Sequence, residues 1–299
     1  PKNLGALFVL PRLCHISERQ LSEDNNNGSD IKYLQLSELQ ASGKPIFFIG
    51  QKEIGKTTLL HYICSECNSF QGVELPSFGC YINLEAVKQT TASLLEAIVA
   101  FSKGAYRRSE FIDLLNAGRM TVCFDNLSVH DDKLLHALGS FIKQYPTNRF
   151  YFSVSESFQS SLSQRVIPKL GLEASVVYIH SFGRSQTRSL ISKWFEDTNE
   201  VLRERVDSML SSLRRLNIPR TPFLISILLW VQEKNISFNP VNQAEIIDIL
   251  IDGILDKLNE TKELGGYDST AKRHFLTELA FEMHQKNRRR LSHNELDKF

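Results

Sequence analysis

The stretch Gly50-Gln51-Lys52-Glu53-Ile54-Gly55-Lys56-Thr57-Thr58 constrains this chain more than any other part of it. It follows directly on the apolar residues 46–49 and runs into Leu59-Leu60-His61-Tyr62-Ile63-Cys64. The spacing is G-x-x-x-x-G-K-[ST], which works as a phosphate cradle when a strand leads in and a helix leads out. Both are legible here. Glycine at 50 and 55 lets the backbone approach an anion closely enough for its N–H groups to donate. Lys56 adds a point charge near the β- and γ-phosphates of a nucleotide, and Thr57 offers a hydroxyl to Mg2+. The helix that begins at this point turns the positive end of its dipole toward the same anion.

The surrounding pattern agrees with such a loop. Short apolar segments at 46–49, 79–84, 120–125, 149–155 and 175–179 read as five strands. Between them lie helical patterns at 31–42, from the loop to about 67, and at 90–102, 107–117 and 131–144. Strands alternating with helices predict an α/β fold with a mostly parallel sheet covered on both faces. After about residue 183 the strands stop. Helical patterns follow at 184–196, 199–216, 221–235, 242–260, 268–286 and 292–298, punctuated by Pro219, Pro222 and Pro240.

Asp125 ends the third strand and is the expected partner of Thr57 at a Mg2+ ion. The residues after it, Asn126-Leu127-Ser128-Val129-His130-Asp131-Asp132, give no clear general base, so slow hydrolysis is expected. The fourth strand carries Ser153 and Ser155. Where a strand is inserted between the two nucleotide-binding strands, a polar residue on it can sense the γ-phosphate, and Ser155 is the candidate. A hydroxyl satisfied by neighbouring backbone is the alternative.

Composition narrows the function further. The 299 residues are 42% hydrophobic and 23% charged, a globular balance that excludes a disordered, collagenous or disulfide-stapled chain. Lys and Arg number 35 against 34 Asp and Glu, a net charge of +1, so no global field draws the chain onto nucleic acid or membrane. The longest apolar run, residues 222–231, falls short of the ~20 residues a spanning helix needs. Five scattered cysteines fit a reducing cytosol. Cys64-Ser65-Glu66-Cys67 has no second pair to complete a zinc site. Lys286-Asn287-Arg288-Arg289-Arg290 reads as a solvated turn, and Arg184, Arg188, Arg214 and Arg215 are candidates to act in trans within an oligomer.

Several motifs occur in a telling order: the glycine loop, Val122-Cys123-Phe124-Asp125-Asn126-Leu127, the aromatic strand at 149–155, and the segment from Tyr178 to Trp194-Phe195. Ile218-Pro219-Arg220-Thr221-Pro222-Phe223-Leu224 follows. In this the chain resembles the NACHT-type STAND P-loop NTPases, the class of NOD-like receptors and bacterial antiphage ATPases. The resemblance covers roughly residues 8–299.

It implies an N-terminal linker and nucleotide-pocket segment at 1–44, a P-loop α/β domain at 45–182, a small helical lid at 183–240, and the start of a winged-helix domain at 241–299. It implies that Pro222 lies against the nucleotide base or ribose, and that Phe8-Val9-Leu10-Pro11-Arg12 lines the adenine pocket, with Val9 and Arg12 in contact. It further implies ADP at rest and ATP in an assembled homo-oligomer, in antiviral or innate-immune signalling. The chain, which opens on Pro1, is expected to be the central module of a longer protein whose sensor and effector domains lie outside it. Two departures stand out. Ser128 and Val129 occupy the place of an acidic pair, and Glu156 stands where an arginine is often found. An AAA-like ATPase that remodels nucleic acid or protein, and a binding module with structural nucleotide, are the competing readings.

Overall fold

The computed structural model describes residues 4–23, 31–67, 77–88, 90–104, 106–195, 198–215, 217–234 and 269–288, with single residues at 245, 248, 251 and 296. The chain divides into two compact units. The first is Pro1–Ser208 with Pro219–Ile225, and the second is Met209–Ile218 with Ser226–Phe299.

The first unit is built on a sheet of six strands: β1 (Arg12–Cys14), β2 (Ile46–Gly50), β3 (Phe78–Asn83), β4 (Met120–Asp125), β5 (Arg149–Ser155) and β6 (Ser175–His180). Their order is β1-β6-β2-β5-β4-β3, and every neighbouring pair is parallel except β1 with β6. This is an α/β fold with a mostly parallel sheet, in which β5 is inserted between the strand that feeds the glycine loop and the strand that ends at Asp125. The sequence predicts five strands, and the sixth is a correction. β1 is only three residues long and hides at the end of the apolar run 4–13. Pro11 stands just before it, since a residue without an N–H cannot serve the ladder.

Alternation along each strand sends side chains to two cores, as the pleat requires. On one face Phe47, Ile49, Val122, Phe124, Phe152 and Val154 are buried with residues of α5 (Thr91–Phe101), α6 (Arg108–Asn116) and α7 (Asp132–Gln144). Aromatic rings run across this face, with Phe47 on Phe152 at 4.5 Å and Phe152 on Phe124 at 5.1 Å between centroids. On the other face Ile46, Phe48, Cys123, Tyr151, Val177 and Ile179 meet Leu59, Leu60 and Ile63 of α4 (Lys56–Ser65). Phe47, Phe48, Leu59, Leu60 and Ile63 are each 0% exposed. At roughly 1.5–3 kcal/mol for each fully buried large apolar side chain, these two layers hold the strand ends in register.

The helix predicted at 31–42 is shorter in the structure. Only α3 (Leu36–Ala41) is helical, because residues 31–35 take no regular structure and the Leu34 N–H donates to the Leu13 carbonyl at 2.8 Å. The Glu38 carboxylate accepts from the Gln35 N–H at 3.0 Å and closes the helix start. After β5, residues 156–170 wind as an irregular helical run with a π-helical middle at Leu162–Val166, a stretch the sequence pattern left unassigned.

The described residues of the second unit are helical apart from 217–218 and 286–288. Met209, Leu210 and Leu213 are buried, as are Leu228, Leu229 and Val231, and Arg273 pairs with Asp248 at 2.6 Å. The helix Ser269–Gln285 corresponds to the pattern at 268–286. Of the helices predicted at 242–260 and 292–298 only residues 245, 248, 251 and 296 are described, each of them helical, and the rest of those two segments lies outside the described residues. Among the described residues no helix is long and apolar enough to cross a membrane.

Candidate functional site: a phosphate cradle at the strand ends

β2 stops at Gly50, and the chain folds back tightly before α4 begins at Lys56. A Cβ on Gly50 would stand 2.6 Å from the Ile54 methyl, which is itself buried inside the loop. Glu53 takes a left-handed conformation at φ 64, and Gly55 one at φ 95 as the N-cap of α4. Gly55 is in the region where a side chain would be strained, so glycine is required there. Ile54 is the inward anchor of the turn, whereas Gln51, Lys52 and Glu53 are exposed and Thr58 is half-buried.

Lys56 reaches back over the loop. Its Nζ donates to the carbonyls of Gly50 at 2.9 Å and Gln51 at 2.6 Å. Burial holds the ammonium below the usual lysine range, and the carboxylates of Asp125 and Glu156 oppose that shift. A nearby anion would strengthen the charged form, which is the electrostatic setting a phosphate-binding lysine needs.

Asp125 sits at the C-terminal end of β4 and is 1% exposed. Three hydroxyls converge on it. Thr57 donates to Oδ2 at 2.7 Å, Tyr81 donates to the same oxygen at 2.7 Å, and Ser153 donates to Oδ1. Ser153 also accepts from the Asn126 N–H at 3.0 Å. Asn126, left-handed at φ 59, donates from its side chain to Asn83 Oδ1 at 3.1 Å. Burial, and then the hydrogen bond to Asp125, push the Tyr81 phenol well above its ordinary value. The Tyr81 ring stacks on His61 of α4 at 3.9 Å.

Thr57 and Asp125 are hard oxygen donors in mutual contact at the foot of the loop, and they fit Mg2+, which takes one or two protein oxygens and completes its shell with phosphate and water. Among the described residues no three His, Cys, Asp or Glu side chains form a cage for a metal by themselves. An ion here would need the phosphates.

The remaining expected contacts are placed differently. Pro222 lies beside the cradle, its Cγ 3.6 Å from where a Gly55 Cβ would stand. It is the first residue of the helix Pro222–Lys234, where a missing N–H costs nothing, and Thr221 caps the turn by accepting from the Leu224 N–H at 3.2 Å. The Arg220 carbonyl accepts from the Phe182 N–H at 2.8 Å and ties this segment to the end of β6. Phe8 stacks on Tyr62 of α4 at 3.9 Å, and Val9 follows it, half-buried. The Arg12 guanidinium is held by hydrogen bonds: Nε and Nη2 donate to the Ser181 carbonyl at 3.0 and 2.6 Å, and Nη1 to the Tyr33 hydroxyl at 2.9 Å. Ser155 is partnered with Gly50 in the β2–β5 register, and its hydroxyl meets that of Ser157 at 3.0 Å.

Two residues joined to Asp125 carry no motif. Ser153 reaches Asp125 because Phe124 pairs with Phe152, which sets the next two residues side by side, and register is not written in a single strand. Tyr81 alternates with the buried Cys80 and Ile82, a period-2 signal that could have turned it toward α4.

No family model matches the sequence, and no curated protein matches it. Several solved structures are similar to it. The ORC2 protein of Aeropyrum pernix, in ADPNP–ADP complexes, is 13% identical over 84% of this chain and 77% of that chain, with a TM-score of 0.38. Domain III of the replication initiation protein DnaA of Thermotoga maritima is 17% identical over 73% of this chain and 88% of that one, with a TM-score of 0.42. A Signal Transduction ATPase with Numerous Domains, with a tetratricopeptide repeat sensor, from Pyrococcus horikoshii is 13% identical over 77% of this chain and 35% of that one, with a TM-score of 0.42. At these identities and scores the functional reading rests on the residues and geometry above.

Proposed function

We propose that this chain binds ATP and ADP with Mg2+ and works as the nucleotide-controlled assembly module of a NACHT-like STAND ATPase. The observation that carries the binding is the 2.7 Å contact between Thr57 and Asp125 under a loop whose lysine already bridges its carbonyls. Mg2+, when bound, supplies charge neutralisation between the phosphates. The chain's own residues supply the cradle at 50–58, the lysine charge, and the Asp125 carboxylate fixed by three hydroxyls. Ser155, level with Gly50, is the proposed hydroxyl contact to the γ-phosphate.

The switch is the finer part of the proposal. A nucleotide shifts a conformational equilibrium only through its differential affinity for the two states. Taking a population from 1:99 to 99:1 needs about 5.5 kcal/mol of that difference. Pro222, placed beside Gly55, supports a coupling between the occupant of the loop and the helix that Pro222 starts. The proposed partners are other copies of this chain, and sensor and effector domains outside it. An innate-immune or antiviral setting follows from the resemblance alone, and a cytoplasmic one from the five scattered cysteines.

Light scattering of the chain with ADP–Mg2+ and with a non-hydrolysable ATP analogue tests the switch. Larger particles with the triphosphate alone, absent in Lys56→Ala, are the expected result. Equal particle size in both nucleotides would remove the switch and leave a nucleotide-binding module. Turnover stimulated by DNA or RNA would favour the AAA-like reading instead.

A further inference from the structure

A hydrolytic site needs a group to take the proton of the attacking water, and the carboxylates round this cradle are mostly committed. Asp125 is buried beneath three hydroxyl donors. The next position is Asn126, bound to Asn83, followed by the buried Leu127. The Asp131 carboxylate caps α7 by accepting from the Leu134 N–H at 3.0 Å. Asp132 is held by Arg165 at 2.7 Å and Lys169 at 2.6 Å. Glu53 lies 3.8 Å from Lys52 on the outer face of the loop.

Glu156 is placed otherwise. The β2–β5 register sets Ser155 beside Gly50, and Glu156 is the next residue, opening the turn Glu156–Phe158 at the C-terminal rim of the sheet. The Gly50 carbonyl accepts from Lys56 Nζ at 2.9 Å, so this turn begins one residue past the strand position that the lysine touches. The loop after β4 reaches the same rim, where His130 meets Phe158 edge-on at 5.5 Å. Glu156 is half-buried, and with Asp125 it is one of the two negative charges that act on the Lys56 ammonium.

We propose that Glu156 is the carboxylate that polarises the attacking water in ATP hydrolysis, in place of an acid following Asp125. The inference rests on the nucleotide-binding reading above. In the step, the water oxygen bonds to the γ-phosphorus while the bond from that phosphorus to the β–γ bridging oxygen breaks. The electron pair of the broken bond stays on ADP. A water proton passes to a Glu156 oxygen and then to solvent, and inorganic phosphate leaves. Nothing is oxidised or reduced.

The test compares the full chain with Glu156→Gln, Glu156→Asp and Lys56→Ala. It reads Mg2+-dependent affinity for fluorescent ADP and ATP analogues, single-turnover hydrolysis, and the nucleotide carried through purification. A positioned base contributes ~10²–10⁴-fold, so Glu156→Gln is expected to bind within ~3-fold of wild type and to hydrolyse at least ~100-fold more slowly. It is also expected to carry ATP where wild type carries ADP. Glu156→Asp, which keeps the carboxylate, is expected to fall between the two and serves if the glutamine variant does not fold. Hydrolysis by Glu156→Gln within ~3-fold of wild type overturns the proposal. So does a wild type that binds ATP without turnover, or a Glu156→Gln whose main change is tighter ATP binding, which would make Glu156 a source of repulsion. A wild type that binds no nucleotide, as Lys56→Ala is expected to, defeats the binding reading itself and is distinguishable from all of these.

Discussion

Gly79→Ala offers a sharp test of how β3 and α4 are joined. A Cβ on Gly79 would stand 2.1 Å from the Cys64 carbonyl oxygen, 2.8 Å from its carbon and 2.9 Å from its Cα. All three are backbone atoms in the last turn of α4, so no rotamer change relieves the clash. The strand and the helix end must separate by roughly 1 Å to reach an ordinary approach. A gap of that size forfeits about a quarter to a half of each contact well along the seam. Overpacking of a tight core typically costs about 1–3 kcal/mol, and the seam includes the buried Leu60 and Ile63. Alanine returns ~0.4–1 kcal/mol by stiffening the unfolded chain. The net is a loss of about 1–2 kcal/mol, or ~2–8 °C in Tm at about 2–4 °C per kcal/mol for a unit of this size. Urea and thermal unfolding followed by circular dichroism measure it. Gly43→Ala is the control, since Gly43 has φ +64 but nothing within 4 Å, so only backbone strain of about 1 kcal/mol applies. A Gly79→Ala protein within 0.5 kcal/mol of wild type would refute the close approach.

The Asp125 cluster predicts an order of effects between two serines. Ser153→Ala removes a hydrogen bond to a carboxylate and orphans the Asn126 N–H, so a loss of about 2–3 kcal/mol is expected, while Ser155→Ala should stay within about 0.5 kcal/mol. Urea midpoints check the order, and its reversal would contradict the network. Stability should also fall at high pH. Burial raises the Cys67, Cys80 and Cys123 thiols and the Tyr81 phenol, so the folded state holds these protons more tightly than the unfolded chain does. Stability from this source is complete below the unfolded thiol value of ~8.5 and declines above it, with the phenol adding beyond ~10. A urea midpoint that stays level from pH 7.5 to 10.5 under reducing conditions would contradict the burial of these groups.

What could be read from the sequence was whatever is local or strongly periodic. The glycine loop announces its strand and helix because its function needs both. Five strands announce themselves as apolar runs, and Asp125 as the polar end of one of them. What escaped depends on partners distant in the chain. β1 is too short to carry a period, and only its pairing with β6, from Arg12 on His180 to Cys14 on Tyr178, makes it a strand. The choice between Ser153 and Ser155 depends on register, and register puts Ser153 against Asp125. Arg12, a pocket residue by resemblance, has its guanidinium held by the Ser181 carbonyl and the Tyr33 hydroxyl, partners that no local pattern announces. Tyr81 carries no motif, and its hydroxyl finds Asp125 only because β3 lies beside β4.

The most direct measurement is calorimetric titration of ATP and ADP into the chain, with Mg2+ and with a chelator, for wild type, Lys56→Ala and Asp125→Ala. Wild type should bind both nucleotides, with ATP affinity raised by Mg2+. Lys56→Ala should lose binding altogether, and Asp125→Ala should bind without responding to Mg2+. Absence of any nucleotide binding by folded wild-type protein at millimolar ligand and Mg2+, or full binding by Lys56→Ala, would contradict the account.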